Sequence, residues 1–423
     1  MKGLYMMGKK SLMVMVLLCG YAVPAFSQVT LEECRQKAVA NYPLAQRYGL
    51  IEQAQRYSLA EIAKSYLPRV SLSGKSTYQS EVTPMGGLTQ DQFQLGLELS
   101  QTLWDGSASR AARRAEQAAT EIERKKLDTD LYAFAERVDQ VFFGILLLQE
   151  RIRSNGILQE ELRVNADRIS VSIRNGVAVQ SDLDAITVER VATRQRDIEM
   201  QSDLSISKDL LSALTGMPLP PETILVMPDA ARPSLDAATT EAISKRPELA
   251  LFEAQDAASA SQEALANAAL MPRFSVFAQG GYGKPGLNAM DAGDPAAYWI
   301  GGLRVNWSLD GFYTRGDKLD TIGLGRLEVE NRREVFSFNT DLAVKQKSAE
   351  IDKYEKLLAG DSELIALRTR MKQSAEARVR NGTLTEADLL QAIAALNLAE
   401  QEKILHEIQY RSAVYGLKHL INQ

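Results

Sequence analysis

The chain has 423 residues, a formal charge of -5, two cysteines and two histidines. That length suits two or three globular domains or one elongated object. The acidic balance argues against nucleic acid as a partner, two cysteines give no disulfide framework, and His406 and His419 sit in no metal-ligand cluster.

At the N-terminus, Lys9 and Lys10 precede the apolar run SLMVMVLLCGYAV, which Ala25-Phe26-Ser27 follows closely. This is the layout of a secretory signal over residues 1–27, cut before Gln28. The segment holds three lysines and no acid, so its removal takes the charge to -8. Cys19 also admits lipidation, although Leu18 is large where such sites favour a small residue. Cys34 is expected as a reduced, helix-packed thiol. No later stretch reaches the roughly 18 apolar residues of a transmembrane helix. The chain is therefore expected to be exported without a helical anchor.

After a helical start, Val70, Leu72, Gly74, Ser76 and Tyr78 alternate with polar neighbours, and so do Phe93, Leu95, Leu97 and Leu99. Period two signals strands. The turn-rich EVTPMGGLTQD between them predicts a β-hairpin over about residues 69–103. LWDG then opens a window that lacks proline from Met85 to Met217. Within it Leu131, Phe134, Val138, Val141, Ile145, Leu148 and Ile152 recur in a 3-4 spacing, a seam that wants to coil against another helix. One helix from Ser107 to about Ile173, roughly 100 Å long, is expected. Two shorter helices broken at Ser154-Asn155-Gly156 are the alternative.

Arg174 to Leu183 reads RNGVAVQSDL, and Arg380 to Leu389 reads RNGTLTEADL; five of ten positions agree. The repetition is not local. Leu31 and Leu235, Pro43 and Pro247, Pro68 and Pro272, and Tyr78 and Tyr282 are all 204 positions apart. Two copies of one unit, residues 28–216 and 234–423, are thus joined by a Pro-rich connector over 217–233. The second copy repeats the hairpin over about 273–309, with Phe274, Val276 and Ala278 facing Trp299, Gly301, Leu303, Val305 and Trp307. A second long helix is expected over Thr314 to Val379. Strands of about 10 residues have the length of tilted transmembrane strands. Trp299 and Trp307 would end one apolar row at two membrane interfaces. Four strands cannot close a barrel in lipid, so several chains would pool them around a polar interior.

This order of elements, with LWDG and SLDG leading from strand into helix and the paired RNG…DL, resembles the TolC family of outer-membrane efflux and secretion channels over the whole mature chain. The resemblance implies a mainly α fold with transmembrane β. It would be a trimeric 12-stranded outer-membrane β-barrel, four strands per chain, continued by an α-helical coiled-coil tunnel across the periplasm of a Gram-negative bacterium. The implied function is a passive conduit, the outer-membrane component of a tripartite efflux pump or a type I secretion system. Its partners would be the homotrimer itself, outer-membrane lipid, a periplasmic adaptor and an inner-membrane transporter. No enzyme activity, cofactor or metal is implied. Asn175, Gly176, Asn381 and Gly382 fall at the helical tips that meet the adaptor in the family, although turn chemistry alone also explains Asn-Gly. Asp388 matches a family aspartate that narrows the closed pore; a plain helix-dipole role is the alternative. Val379, Leu384 and Gln391 replace the tyrosine, arginine and second aspartate of the best-known gate, so the latch here must differ. QGGYGKPG lacks the Gly-Lys-Ser/Thr ending of a phosphate loop. The reading from another class is a periplasmic coiled-coil scaffold or adaptor with no pore.

Overall fold

The computed structural model describes residues 29–81, 89–235, 237–287 and 294–423. The expected signal segment with Cys19, and the middle of each hairpin loop, lie outside the described residues.

Each copy opens on two helices. In the first, α1 (Leu31–Asn41) is capped by Thr30, whose Oγ1 accepts the Glu33 N–H at 3.3 Å. Pro43 ends it and starts a 3-10 turn that runs into α2 (Arg47–Lys64). In the second copy a short α5 (Ala237–Ser244) precedes α6 (Pro247–Ala268), with Pro247 in the first helical turn, where a missing N–H costs nothing. The other matched prolines, Pro68 and Pro272, stand one residue before β1 (Arg69–Tyr78) and β3 (Arg273–Lys284). Proline cannot continue the preceding helix, and it biases its neighbours toward extended backbone. The repeated prolines therefore mark repeated element boundaries.

β1 pairs with β2 (Asp91–Trp104) and β3 with β4 (Ala296–Asn306), and β2 pairs with β3. The result is one antiparallel sheet in sequence order, β1-β2-β3-β4. Between β2 and β3 the chain makes its long excursion through α3 (Ala108–Arg174) and α4 (Gln180–Thr215). After β4 it repeats this with α7 (Gly311–Arg380) and α8 (Glu386–Leu420). α3 has 67 residues and α7 has 70, each roughly 100 Å of helix. α3 runs unbroken through Ser154-Asn155-Gly156. Asn155 is buried there, and its Nδ2 donates to the Thr193 carbonyl on α4 at 3.1 Å.

The core sits at the waist of α3. Val138 and Ile145 of the predicted seam are fully buried, but so is Phe142. The apolar arc is wider than a two-helix seam because α1, α4, α6 and α8 all pack on α3. Burying a side chain such as Phe142 contributes about 2–3 kcal/mol. Cys34 joins this core as a free, buried thiol, and burial pushes its pKa up to about 12. The connector straps the same waist with little regular backbone pairing. Instead the buried Lys208 donates to the carbonyls of Pro221 and Thr223, the latter at 2.8 Å, and Gln149 Nε2 reaches Thr223 O at 2.9 Å. Side chains thus satisfy backbone groups that no ladder serves. Among the described residues no helix is long and apolar enough to cross a membrane.

Candidate functional site

The sheet sorts most apolar and polar residues onto opposite faces, with Phe277 and Ile300 on the polar side and Asp91 and Lys284 at the loop end of the apolar side as exceptions. Register places Leu72 beside Leu97, Val276 beside Leu303, and Phe274 beside Val305. This row lies bare: Leu72 is 72% exposed, Leu303 75% and Trp299 83%. The opposite face is polar. Arg304 donates to Glu98 at 2.8 Å from β4 to β2, with its guanidinium 4.5 Å from the Phe277 ring centroid. Gln94 donates to the Tyr298 hydroxyl, and Tyr298 lies over Gly281, where a Cβ would come within 2.4 Å of its ring. Among the described residues both edge strands, β1 and β4, lack a second partner. A soluble sheet would bury the apolar face; among the described residues no element covers it.

Trp299 lies within β4, and Trp307 stands one residue beyond its end. The Trp307 indole N–H donates to the Leu270 carbonyl at 2.9 Å, and the ring meets Phe312 edge-on. Trp104 packs on Phe274 at the same helical end of the sheet. The two tryptophans of the row are thus separated by about 26 Å of strand. Below this collar, Asp105 turns the chain from β2 into α3. Its carboxylate accepts the Ser109 N–H at 2.7 Å and the Tyr66 hydroxyl at 2.8 Å. Gly106 and Ser107 adopt φ of 70° and 68°. A side chain at Gly106 would meet Met271 Cβ at 2.3 Å, so this turn is both left-handed and crowded.

At the far end, the repeated signature makes two matching tips. Asn175 and Asn381 close α3 and α7 with φ near -89°, and Gly176 and Gly382 follow at φ 72° and 69°. The glycines, not the asparagines, take the left-handed conformation. Val177 N–H returns to Ser172 O, and Thr383 N–H to Arg378 O, each at 2.9 Å. These are Schellman closures, which satisfy the last carbonyls of a helix. The returning helices start differently. At α8, Thr385 Oγ1 accepts the Asp388 N–H at 3.2 Å, and Asp388 Oδ2 accepts the Thr385 N–H at 3.3 Å. This is a reciprocal capping box. At α4 the capping position is Val179, which has no acceptor, so only Asp182 bonds back, at 3.3 Å. Asp388 is exposed in the single chain, and its carboxylate is occupied by capping.

The two hairpins are tied together above the tips by pairs that reading the sequence alone did not find. Arg168 of α3 meets Glu386 of α8 at 2.9 Å, and Lys372 of α7 meets Glu161 of α3. Glu400 sits close by, its carboxyl pushed up by burial and by the Glu161 charge against the pull of Lys372. Val379 and Leu384 pack against the cluster of Leu158, Leu162, Leu389 and Ile393. Where the resemblance implies a polar latch, this chain therefore has an apolar knot flanked by ion pairs. Nothing in the sequence pairs residues 161 with 372 or 168 with 386; only the antiparallel packing does. The Thr385-x-x-Asp388 spacing, by contrast, is a legible capping signal.

Compared by sequence, the chain matches no protein-family model and no curated protein. Compared by structure, it superposes on CusC, which forms a transmembrane channel, over 94% of this chain and 92% of that one, with TM-score 0.71 and 14% identity. The outer membrane protein VceC of Vibrio cholerae aligns over 93% and 96%, with TM-score 0.68 and 14% identity. The CmeC outer membrane channel of Campylobacter jejuni aligns over 94% and 86%, with TM-score 0.68 and 14% identity. The fold is that of the outer-membrane channels. Identity this low carries the channel fold and no individual residue. The bare sheet face, the free strand edges and the two long hairpins are the features of this chain that the channel fold arranges in space.

Proposed function

We propose that the protein is the outer-membrane channel of an efflux pump or a type I secretion system, a passive conduit from periplasm to exterior. The observation that carries this reading is the sheet. It has one bare apolar face, one polar face and two free edges, at the end of helices about 100 Å long. An open edge is not tolerated in lipid, so β4 of one chain pairs with β1 of the next. Three copies close a 12-stranded barrel of this kind, with the apolar row toward lipid and the polar row toward water.

The helices support the same closure. α4 and α7 flank the layer, and each leaves apolar residues uncovered: Val188, Val191 and Ile198 on α4, and Leu327, Phe338 and Leu342 on α7. Two different surfaces meeting head to tail make a ring when the rotation closes. In the ring, Trp299 and the Trp307 collar mark the two membrane interfaces. The tips at Asn175, Gly176, Asn381 and Gly382 offer a periplasmic adaptor six rigid turns, and an inner-membrane transporter supplies the energy. Asp388 would narrow the mouth, since three copies near one axis concentrate negative charge. The reading as a scaffold with no pore leaves the exposed row unexplained.

The test is paired cysteines at Val70 and Val305 in the Cys34→Ser background, followed by oxidation in the membrane. A covalent trimer that needs detergent for extraction and gives discrete conductance steps in a planar bilayer is expected. A chain released by carbonate as a monomer would sink the channel reading.

A further inference from the structure

The charge of the polar sheet face is opposite to that of the protein. Register sorts onto that face Arg69 and Lys75 from β1, Glu98 from β2, Arg273 from β3 and Arg304 from β4. The other polar-face positions carry no charge. Among the described residues, four cations therefore face one carboxylate, while the whole chain carries -5. Glu98 is already engaged by Arg304 at 2.8 Å. The cross-strand neighbours of the other three are neutral: Ser100 beside Arg69, Gln94 beside Lys75, and Asn306 beside Arg273. Opposite charges across a strand pair stabilise a sheet; these three cations forgo that gain.

Their placement is also uneven. Arg69, Arg273 and Arg304 lie within four residues of the helical end of the sheet, about 13 Å of strand, while Lys75 stands near the opposite end. We propose that this face makes the barrel lumen an anion-selective passage, in which Arg69, Arg273 and Lys75 select negatively charged cargo at the exit. The inference rests on the channel reading above, which turns this face inward. Closure by three copies triples the excess of three cations. A narrow passage with low-dielectric walls focuses such a field and enriches the counter-ion inside it. The arginine ring at the junction of tunnel and barrel would meet the cargo first. Glu98 holds Arg304 partly neutral, leaving Arg69 and Arg273 as its active members.

The experiment compares the mature protein with the variant Arg69→Gln/Lys75→Gln/Arg273→Gln in planar bilayers under a KCl gradient. Both proteins carry Asp388→Asn, so that the acidic mouth proposed above does not mask the barrel, and in the parent the reversal potential should then favour Cl- over K+. That preference should fade at high salt, where the Debye length shrinks to about 3 Å. The variant should keep its conductance steps and lose at least about threefold of the permeability ratio. Inorganic tripolyphosphate added on the barrel side should block the parent at lower concentration than the variant. Should the triple variant fail to assemble, Lys75→Gln alone must give a smaller shift in the same direction. A variant with the reversal potential of the parent overturns the assignment of selectivity while leaving the channel intact. A parent that gives no steps overturns the channel reading and this inference with it.

Discussion

α3 and α7 are the same helix written twice, nearly equal in length and ending in the same Arg-Asn-Gly, yet they live in different surroundings. α3 buries Phe142, Ile145, Leu162 and Ile169 almost completely, because helices of its own chain lie on several sides. α7 buries few residues and leaves Leu324, Leu327 and Phe338 about two-thirds exposed. A duplicated sequence therefore does not imply a duplicated environment. The first copy is covered by helices of its own chain, and the second presents an apolar stripe that no described element covers and that the proposed ring would bury.

The largest expected effect breaks this comparison directly. Phe142→Ala should cost about 3–5 kcal/mol of stability, read as a lower denaturation midpoint of the isolated chain. Phe338→Ala, at a residue 64% exposed, should leave that midpoint nearly unchanged and weaken the proposed trimer, measured by native mass spectrometry. Equal losses of chain stability would show that α7 is not waiting for a partner. Next in size are the tips. Gly176→Ala and Gly382→Ala each place a side chain at a φ near 70°, which costs about 1–2 kcal/mol. Hydrogen exchange at the two turns should rise by similar amounts, because both close in the same way.

The cap separates the tips. Thr385→Ala should loosen the start of α8 by about 1 kcal/mol, whereas Val179→Ala should do little at α4. Exchange rates in the first turns of the two helices measure this difference. A separate effect is a pH dependence at the end of α8. Burial, with Arg246 and Arg35 adding to it, lowers the His419 pKa from 6.5 to about 4, and the ring stacks on Tyr132 at 4.1 Å. The folded chain thus holds His419 neutral, while the unfolded chain protonates it first. Its contribution is fully present above about pH 6.5 and is lost as pH falls toward 4. Urea midpoints against pH should show this loss in the parent and a shallower one in His419→Gln.

Periodicity made the strands, the long helices and the tip glycines readable, because each is a local pattern: alternation for the strands, absence of proline for the helices, Asn-Gly for the turns. The predicted seam at Val138 and Ile145 was readable too, but its width was not, since the neighbours of Phe142 come from distant segments. The Arg168–Glu386 and Lys372–Glu161 pairs were illegible for the same reason. The cationic sheet face lay in plain sight as residue types, and only register turned Arg69, Arg273 and Arg304 into one cluster. Asp388 shows the converse: the family resemblance implied a pore residue, with a helix-dipole role as the alternative, and the local geometry adds a capping duty that any substitution would disturb as well.

The strand order β1-β2-β3-β4 has a consequence for biogenesis. Each chain brings one contiguous arc, so the proposed ring contains a single kind of seam, repeated. Before that seam forms, a newly exported chain carries two raw edges and a wet hydrophobic face at once. Neither water nor lipid tolerates that combination for long. In the proposed ring, insertion and association would therefore be one event, and the lone subunit would keep both edges open until its neighbours arrive.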